Sequence, residues 1–404
     1  MRVLLTLLLS VTLAHGQSLT TKAGTDIDNL FTRAVEQGVA PGAVVIVAGK
    51  EKVIYFNAFG LQDVAGQKRM ATDSIFRIAS MTKPVTSAAI MLLVDQNKLK
   101  VDDPVSKYLP EFKDREVIAT FNAADASVTT RKATQEVLIR HLLSHTSGLA
   151  YTFSNTTISQ LQPGSGKQAE ELPLLYEPGT KWTYSGSTKV LGRVVEKVTG
   201  VPLDRFLDDN FFKPLGMKDT TYVVPAEKRS RVVTTHTWNN GRLTESANPA
   251  NIASTVAGDG GLASTASDYI KFLQMLLNDG KHQGKTILSK ASVQAMTRNQ
   301  IGTVVVDTQP AALPNLTRPF PVAPSAGRDK FSYGFQITAS NKESTNLRSA
   351  GSYTWAGIYN THFWVDPRRE IAAVLMFQVL PFYDDNIMKL YQDFEEAIGK
   401  NLRR

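Results

Sequence analysis

Ser80 and Lys83 lie three positions apart in RIASMTKPVTSAAIMLLVDQ, residues 77–96. On a helix, residues i and i+3 share a face one turn apart, so the lysine amine can reach the serine hydroxyl. An amine kept neutral in a desolvated pocket accepts a hydroxyl proton and turns serine into a nucleophile. A helix N-terminus at this point also favours negative charge developing near Ser80. The spacing alone fits equally a capping serine beside a solvated lysine, because these residue types yield about one such match by chance in a chain this long. Ser80 is the single match here.

A second candidate is Tyr184 in KWTYSGS (181–187), just ahead of a helix pattern opening at Ser187. A phenol at a loop-to-helix junction can share a proton with a lysine and pass it to a leaving group; buried aromatic packing is the alternative. The third is GSYTWAGIYNTHFWVDP, where Gly351, Trp355, Ala356 and Gly357 precede or begin a strand. Glycine lets backbone approach a ligand closely, so an edge strand here could aim an N–H at a carbonyl oxygen. His141 and His145 in HLLSH have zinc-like spacing, but Leu142 stands where a catalytic glutamate would be needed, which favours core packing. G-x-S-x-G is absent, arguing against the nucleophile elbow of α/β-hydrolases.

Elements that would position these residues follow from periodicity. Runs 43–48 and 53–59, separated by Gly49 and Lys50, read as a β-hairpin. Val85, Ala88, Ala89, Leu92 and Leu93 mark a helix from Ser80 to about Asn97, with Pro84 tolerable in its first turn. Helices are expected over 134–143, 187–200, 267–280 and 289–297. Strands are expected over 331–339, 358–367 and 370–380, followed by a closing amphipathic helix with Ile387, Leu390, Tyr391, Phe394 and Ile398 on one face. Segment 301–328, with five prolines, predicts either a lid or binding flap or a β-insert. The fold class is therefore α+β: an antiparallel sheet built from N- and C-terminal segments, flanked by helices, with an inserted mostly helical region. The expected division is 17–98 with 325–404 as the sheet domain and 99–324 as the helical one.

At 404 residues with 42% hydrophobic and 20% charged residues, the chain can bury a large core and is not a disordered or fibrous protein. MRVLLTLLLSVTLAHGQS carries Arg2, an apolar run and an A-x-G-like end, predicting a secretory signal over 1–16 cut after Gly16. The run is short for a membrane span. Zero cysteines exclude disulfides and thiol chemistry and suit a bacterial periplasmic or secreted protein. The +8 net charge is dispersed and no nucleic-acid motif accompanies it, so it reads as solubility and weak attraction to anionic envelope surfaces. Sequons at Asn155 and Asn315 matter only in a eukaryotic secretory pathway.

Together, FRIASMTKPVTSAAIMLLVDQNKLKVDDPVSKYLPEF, LLSHTSGL, YEPGTKWTYSGSTKVLGRVVEKVTG, FFKPLGMKDTTY and GGLASTASDYIKFLQMLLNDG resemble the serine β-lactamase and penicillin-recognising superfamily. The likeness is greatest to its class C β-lactamase-like branch and to family VIII carboxylesterases, and it covers most of the mature chain. It implies Ser80 as nucleophile, Lys83 as proton acceptor and Tyr184 as coupled base and acid. The backbone N–H groups of Ser80 and Ile358 would form the oxyanion hole, and Ser185, Gly186, Trp355, Ala356 and Gly357 would meet substrate. The substrate would be a small molecule, and no metal or cofactor is required. Two departures bear on substrate. Tyr184-Ser185-Gly186 lacks the asparagine of Tyr-x-Asn, and Trp355-Ala356-Gly357 stands where β-lactamases carry Lys-Thr-Gly. An indole in place of a cation favours neutral, apolar acyl groups. The expectation is short-chain ester hydrolysis through an acyl-enzyme. A β-lactamase, a D-amino-acid peptidase, an acyltransferase to alcohols and a non-catalytic envelope scaffold are the rivals.

Overall fold

The computed structural model describes residues 17–239, 241–246, 256–321, 325–339 and 347–403. The expected leader, 1–16, lies outside them. Helix α1 (Thr21–Glu36) is the first helix of the described chain, capped by the Thr20 hydroxyl accepting from the Ala23 N–H. Ala23, Ile27, Phe31 and Ala34 form its buried stripe. Strands β1 (Gly42–Gly49), β2 (Val53–Asp63) and β3 (Lys68–Arg69) follow. Next comes α2 (Thr82–Asp95), entered through a short 3-10 turn, Ala79–Met81. Later elements are α3 (Ser187–Thr199), α4 (Ala266–Leu277), β4 (Lys330–Phe331), β5 (Gln336–Ile337), β6 (Tyr353–Gly357), β7 (Thr361–Asp366), β8 (Ile371–Met376) and α5 (Asp385–Asn401).

These strands form one antiparallel sheet in the order β4-β5-β6-β7-β8-β1-β2-β3, so a C-terminal block and an N-terminal block join side by side where β8 pairs with β1. At its centre, β1 is buried along its whole length, which suits its Val/Ile-rich sequence. Successive side chains alternate faces. Val44, Ile46 and Ala48 join the core with α2 and α4, while Ala43, Val45 and Val47 pack beneath α1 and α5. In that second layer Phe31 stacks on Phe59 at 5.2 Å and meets Phe394 edge-on at 5.6 Å. The larger core continues through α2 into α3, so the helix that bears Lys83 and follows the Ser80 turn is buried on nearly every side.

Several sequence expectations change in detail. The helix expected over 134–143 is confined to Ile139–Leu143, because Leu138 is extended against Pro104 and its N–H is held by His141 Nδ1 at 3.2 Å. The strand expected over 331–339 is a tight hairpin pairing Phe331 with Gln336. It turns at Gly334, where φ is +107° and a side chain would meet Ser87. The run 358–367 is strand only from Thr361, and 370–380 ends its sheet strand at Met376. A two-stranded hairpin, Glu116–Asn122 with Ser127–Lys132, interrupts the region expected to be mostly helical. Segment 301–328 contains no regular strand or helix among its described residues, only isolated bridges such as Gln309 with Phe320.

Candidate active site

Ser80 sits in the 3-10 turn leading into α2, and the residue before it, Ala79, has φ of +42°. A non-glycine residue in this left-handed region is uncommon and is tolerated where its surroundings fix it. Here the Ile78 N–H donates to Leu262 O at 3.0 Å, and the Tyr269 hydroxyl donates to Met81 O at 2.9 Å. The serine is thus clamped on both sides by the chain around α4.

Lys83 is 1% exposed. Its Nζ lies 3.1 Å from Ser80 Oγ and donates to the backbone carbonyl of Asp259 at 2.7 Å. The rings of Tyr184 and Tyr151 lie 4.9 and 5.1 Å from it. The Tyr151 hydroxyl in turn donates to Asp259 Oδ2. Burial first, and the Asp259 charge second, hold the Tyr151 phenol well above its ordinary pKa, so it remains a donor.

Tyr184 is buried, and its N–H donates to Gln309 Oε1 at 3.2 Å. Its ring contacts Trp355 at 5.1 Å, Phe320 at 5.7 Å and His145 at 5.1 Å. His145 is enclosed by Tyr184, Trp182, Phe331 and Trp355, and its Nδ1 lies 3.2 Å from Ser185 Oγ. Burial, with Lys83 as the lesser cause, pushes its pKa well below the usual imidazole value. A neutral ring therefore packs there, in keeping with the core role expected for HLLSH.

Strand β6 is not an edge strand as expected, for it lies between β5 and β7. The two-residue β5 pairs only with Tyr353 and Thr354, so among the described residues Trp355–Gly357 have no strand on that side. Gly357 allows β6 to end against the serine turn: a Cβ there would lie 2.3 Å from Ile78 O and 2.3 Å from Thr361 Oγ1. Ile358 follows directly.

Ser80, Tyr184, Trp355, Ala356 and Ile358 all line one cavity of about 570 Å³. Ser185 does not. It is fully buried, its hydroxyl engaged with His145 and with Ser187 at 2.7 Å. Gly186 borders a separate, smaller cavity on the far side of Tyr151 and Asp259. The 301–328 segment supplies a wall: Phe320 and Pro321 line the main cavity, and the Ala312 N–H donates to Phe153 O at 2.9 Å. Sequence reasoning missed Tyr151, Asp259 and Gln309. Tyr151 stands two residues beyond LLSHTSGL, and Asp259 is flanked by glycines just ahead of GGLAST, whereas nothing local marks Gln309.

A Beta-lactamase family profile matches residues 27–397. The chain belongs to the beta-lactamase family. With it go the serine hydrolases, esterases and acyltransferases that share this fold. ML-236A carboxylate methylbutanoyltransferase mlcH of Penicillium citrinum is 29% identical over 94% of this chain and 94% of its own. Lovastatin esterase of Penicillium rubens is 28% identical over 92% of this chain and 97% of its own. Unliganded simvastatin synthase (LovD) of Aspergillus terreus has the same fold, with a TM-score of 0.80 at 24% identity over 94% of this chain and 98% of that one. No described helix is long and apolar enough to cross a membrane.

Proposed function

We propose that this chain is an exported serine hydrolase cleaving short-chain carboxylic esters through an acyl-enzyme on Ser80. The observation that carries this reading is the buried Lys83 amine 3.1 Å from Ser80 Oγ, at the end of a cavity walled by Trp355, Tyr184 and Phe320. The amine donates one N–H to Asp259 O, which holds it within reach of Ser80 Oγ. Ser80 Oγ attacks the ester carbonyl carbon while its proton passes to Lys83. The backbone N–H groups of Ser80 and Ile358 receive the oxyanion. On collapse, the carbon–alkoxide bond breaks and Tyr184 relays the proton from Lys83 to the departing alcohol. Water then attacks the acyl-enzyme by the reverse path and releases the acid.

Trp355, in place of a cation near the nucleophile, supports neutral acyl groups over anionic lactams. Acyl transfer to an alcohol is the second reading, favoured by the full-length likeness to a methylbutanoyltransferase. The decisive assay compares p-nitrophenyl acetate and butyrate with nitrocefin, with and without an added alcohol acceptor. Ester turnover with weak or absent nitrocefin cleavage is expected, while brisk nitrocefin turnover and inert esters would reverse the assignment. A fluorophosphonate should label Ser80 and leave Ser80→Ala unlabelled; no adduct on the parent chain would favour a non-catalytic scaffold. Lys83→Ala and Tyr184→Phe should each lose on the order of a hundredfold in rate. Export is checked by the N-terminus of the mature protein, expected at Gln17.

A further inference from the structure

The cavity that begins at Ser80 is far larger than a short acyl group needs: about 570 Å³ is the size class of a site for a whole drug-sized molecule. Its walls show where the remaining volume runs. From Tyr184 an aromatic series continues through Phe320 to Phe382 at 5.1 Å, then to His362 at 5.9 Å, and on to Tyr391 at 5.1 Å. This path passes the unpaired side of β6 and reaches a groove beneath α5, where Met388 and Tyr391 face it. His362, in the groove wall, is 3% exposed, and its Nε2 has no hydrogen-bond partner among the described residues.

The far end differs in charge from the protein as a whole. The chain carries +8, yet among the described residues the groove is lined by Asp385, Asp393, Glu395, Glu396 and a buried Asp329 that accepts from Gln336 and Ala339, against the cations Arg348 and Lys389. Both cations are engaged: Arg348 pairs with Glu395 at 3.2 Å, and Lys389 with Asp393 at 2.8 Å. Glu396 also leans on Lys400 at 3.0 Å, outside the groove lining. A carboxylate surplus at the end of an apolar groove is an environment that attracts an ammonium and repels an anion.

We infer that this groove is a distal subsite for the alcohol portion of the ester, selecting an elongated alcohol that ends in an ammonium group. The inference rests on the esterase reading above. In it, the short acyl group stays at Ser80 between Phe153 and Trp355, the apolar stem lies along Phe320, Phe382 and His362, and the cationic end reaches the carboxylates of α5.

The test uses the full mature chain and butyrate esters of a short and a long straight-chain alcohol, each ended by trimethylammonium, tert-butyl or carboxylate. The expected kcat/KM order is cation, then neutral, then anion, each step about fivefold at low salt and shrinking as salt is added. In Asp385→Asn/Glu396→Gln the cation-to-anion ratio should fall towards one, and in Met388→Trp the preference for long over short alcohols should fall. Equal rates for the three esters, or ratios indifferent to both variants, overturn the subsite even if p-nitrophenyl butyrate is hydrolysed well. Should no ester be hydrolysed, the esterase reading fails instead. The groove is then read by calorimetry with the free trimethylammonium alcohol on Ser80→Ala: salt-sensitive binding lost in the double variant supports it, and no binding overturns it.

Discussion

Lys83 Nζ lies closer to a backbone carbonyl, Asp259 O at 2.7 Å, than to the Ser80 hydroxyl, at 3.1 Å. The amine is therefore held from behind by a main-chain acceptor whose position depends on the packing of a glycine-flanked loop. At Gly258 a Cβ would lie 2.2 Å from Thr188 O, so the loop fits against α3 only because that side chain is missing. The Lys83 amine is positioned by the junction of α2, α3 and this loop together.

The same aspartate uses its carboxylate to accept from Tyr151, whose ring flanks the amine. If Tyr151 and Asp259 act as one positioning unit, Tyr151→Phe and Asp259→Asn each remove the charge-assisted bond while sparing the backbone carbonyl. Each should lower kcat about tenfold with little change in KM, and the double variant should lose scarcely more than either alone. A double-variant cycle in kcat measures this. Fully additive losses would show that the two residues act separately.

Gly357 sets how closely β6 approaches the serine turn. Gly357→Ala places a methyl group 2.3 Å from Ile78 O, so either the turn or the strand must move and the Ile358 N–H is displaced from the oxyanion position assigned to it. The expected result is a loss of about a hundredfold in kcat for p-nitrophenyl butyrate, the scale of one lost oxyanion donor, with the fold retained by circular dichroism. Wild-type kcat in this variant would remove Ile358 from the oxyanion hole.

Where local periodicity carries information, the sequence was readable. The Ser80–Lys83 spacing, the β1–β2 hairpin, α3 ending at Gly200 and the α5 stripe all arise from residues within a turn or two of one another. What was lost depends on contacts across long separations. Asp259 meets Lys83 across 176 residues and Tyr151 across 108, and Gln309 meets Tyr184 across 125. The single strand read over 331–339 failed because Gly334 packs on Ser87 and bends the chain there, a tertiary demand that alternating hydrophobicity conceals. The family resemblance implied that Ser185 meets substrate, but its hydroxyl is engaged with His145 and Ser187.

Three imidazoles are buried in their neutral forms. Burial drives His362 down to about 3, with nearby Arg348 as the lesser cause, and His141 to about 4, while His145 is pushed well below its ordinary value. A histidine whose folded pKa lies below its unfolded one binds its proton preferentially in the unfolded chain. Stability is therefore undiminished above pH about 6.5 and falls as pH drops from there towards the folded pKa, by up to about 1.4 kcal/mol per pH unit for each ring. Denaturant unfolding between pH 7.5 and 5 should show this loss, and His362→Phe, which keeps the aromatic packing, should flatten the slope by about one proton. An unchanged slope in that variant would mean that His362 is not buried neutral.

Gln309 ties the irregular 301–328 wall to the catalytic tyrosine candidate, accepting from the Tyr184 N–H while its own Nε2 donates to Asp307 O at 3.0 Å. Because the segment lacks a ladder of its own, this side chain is a principal link between the wall and the loop that carries Tyr184. Gln309→Leu preserves bulk but leaves a buried N–H without its acceptor, at a cost of about 1–3 kcal/mol. The same change loosens Tyr184 relative to Lys83. The expected outcome is a lowered melting temperature together with a kcat deficit that persists well below the melting transition. A stability loss with wild-type kcat at low temperature would separate the wall from catalysis and leave Gln309 a purely structural link.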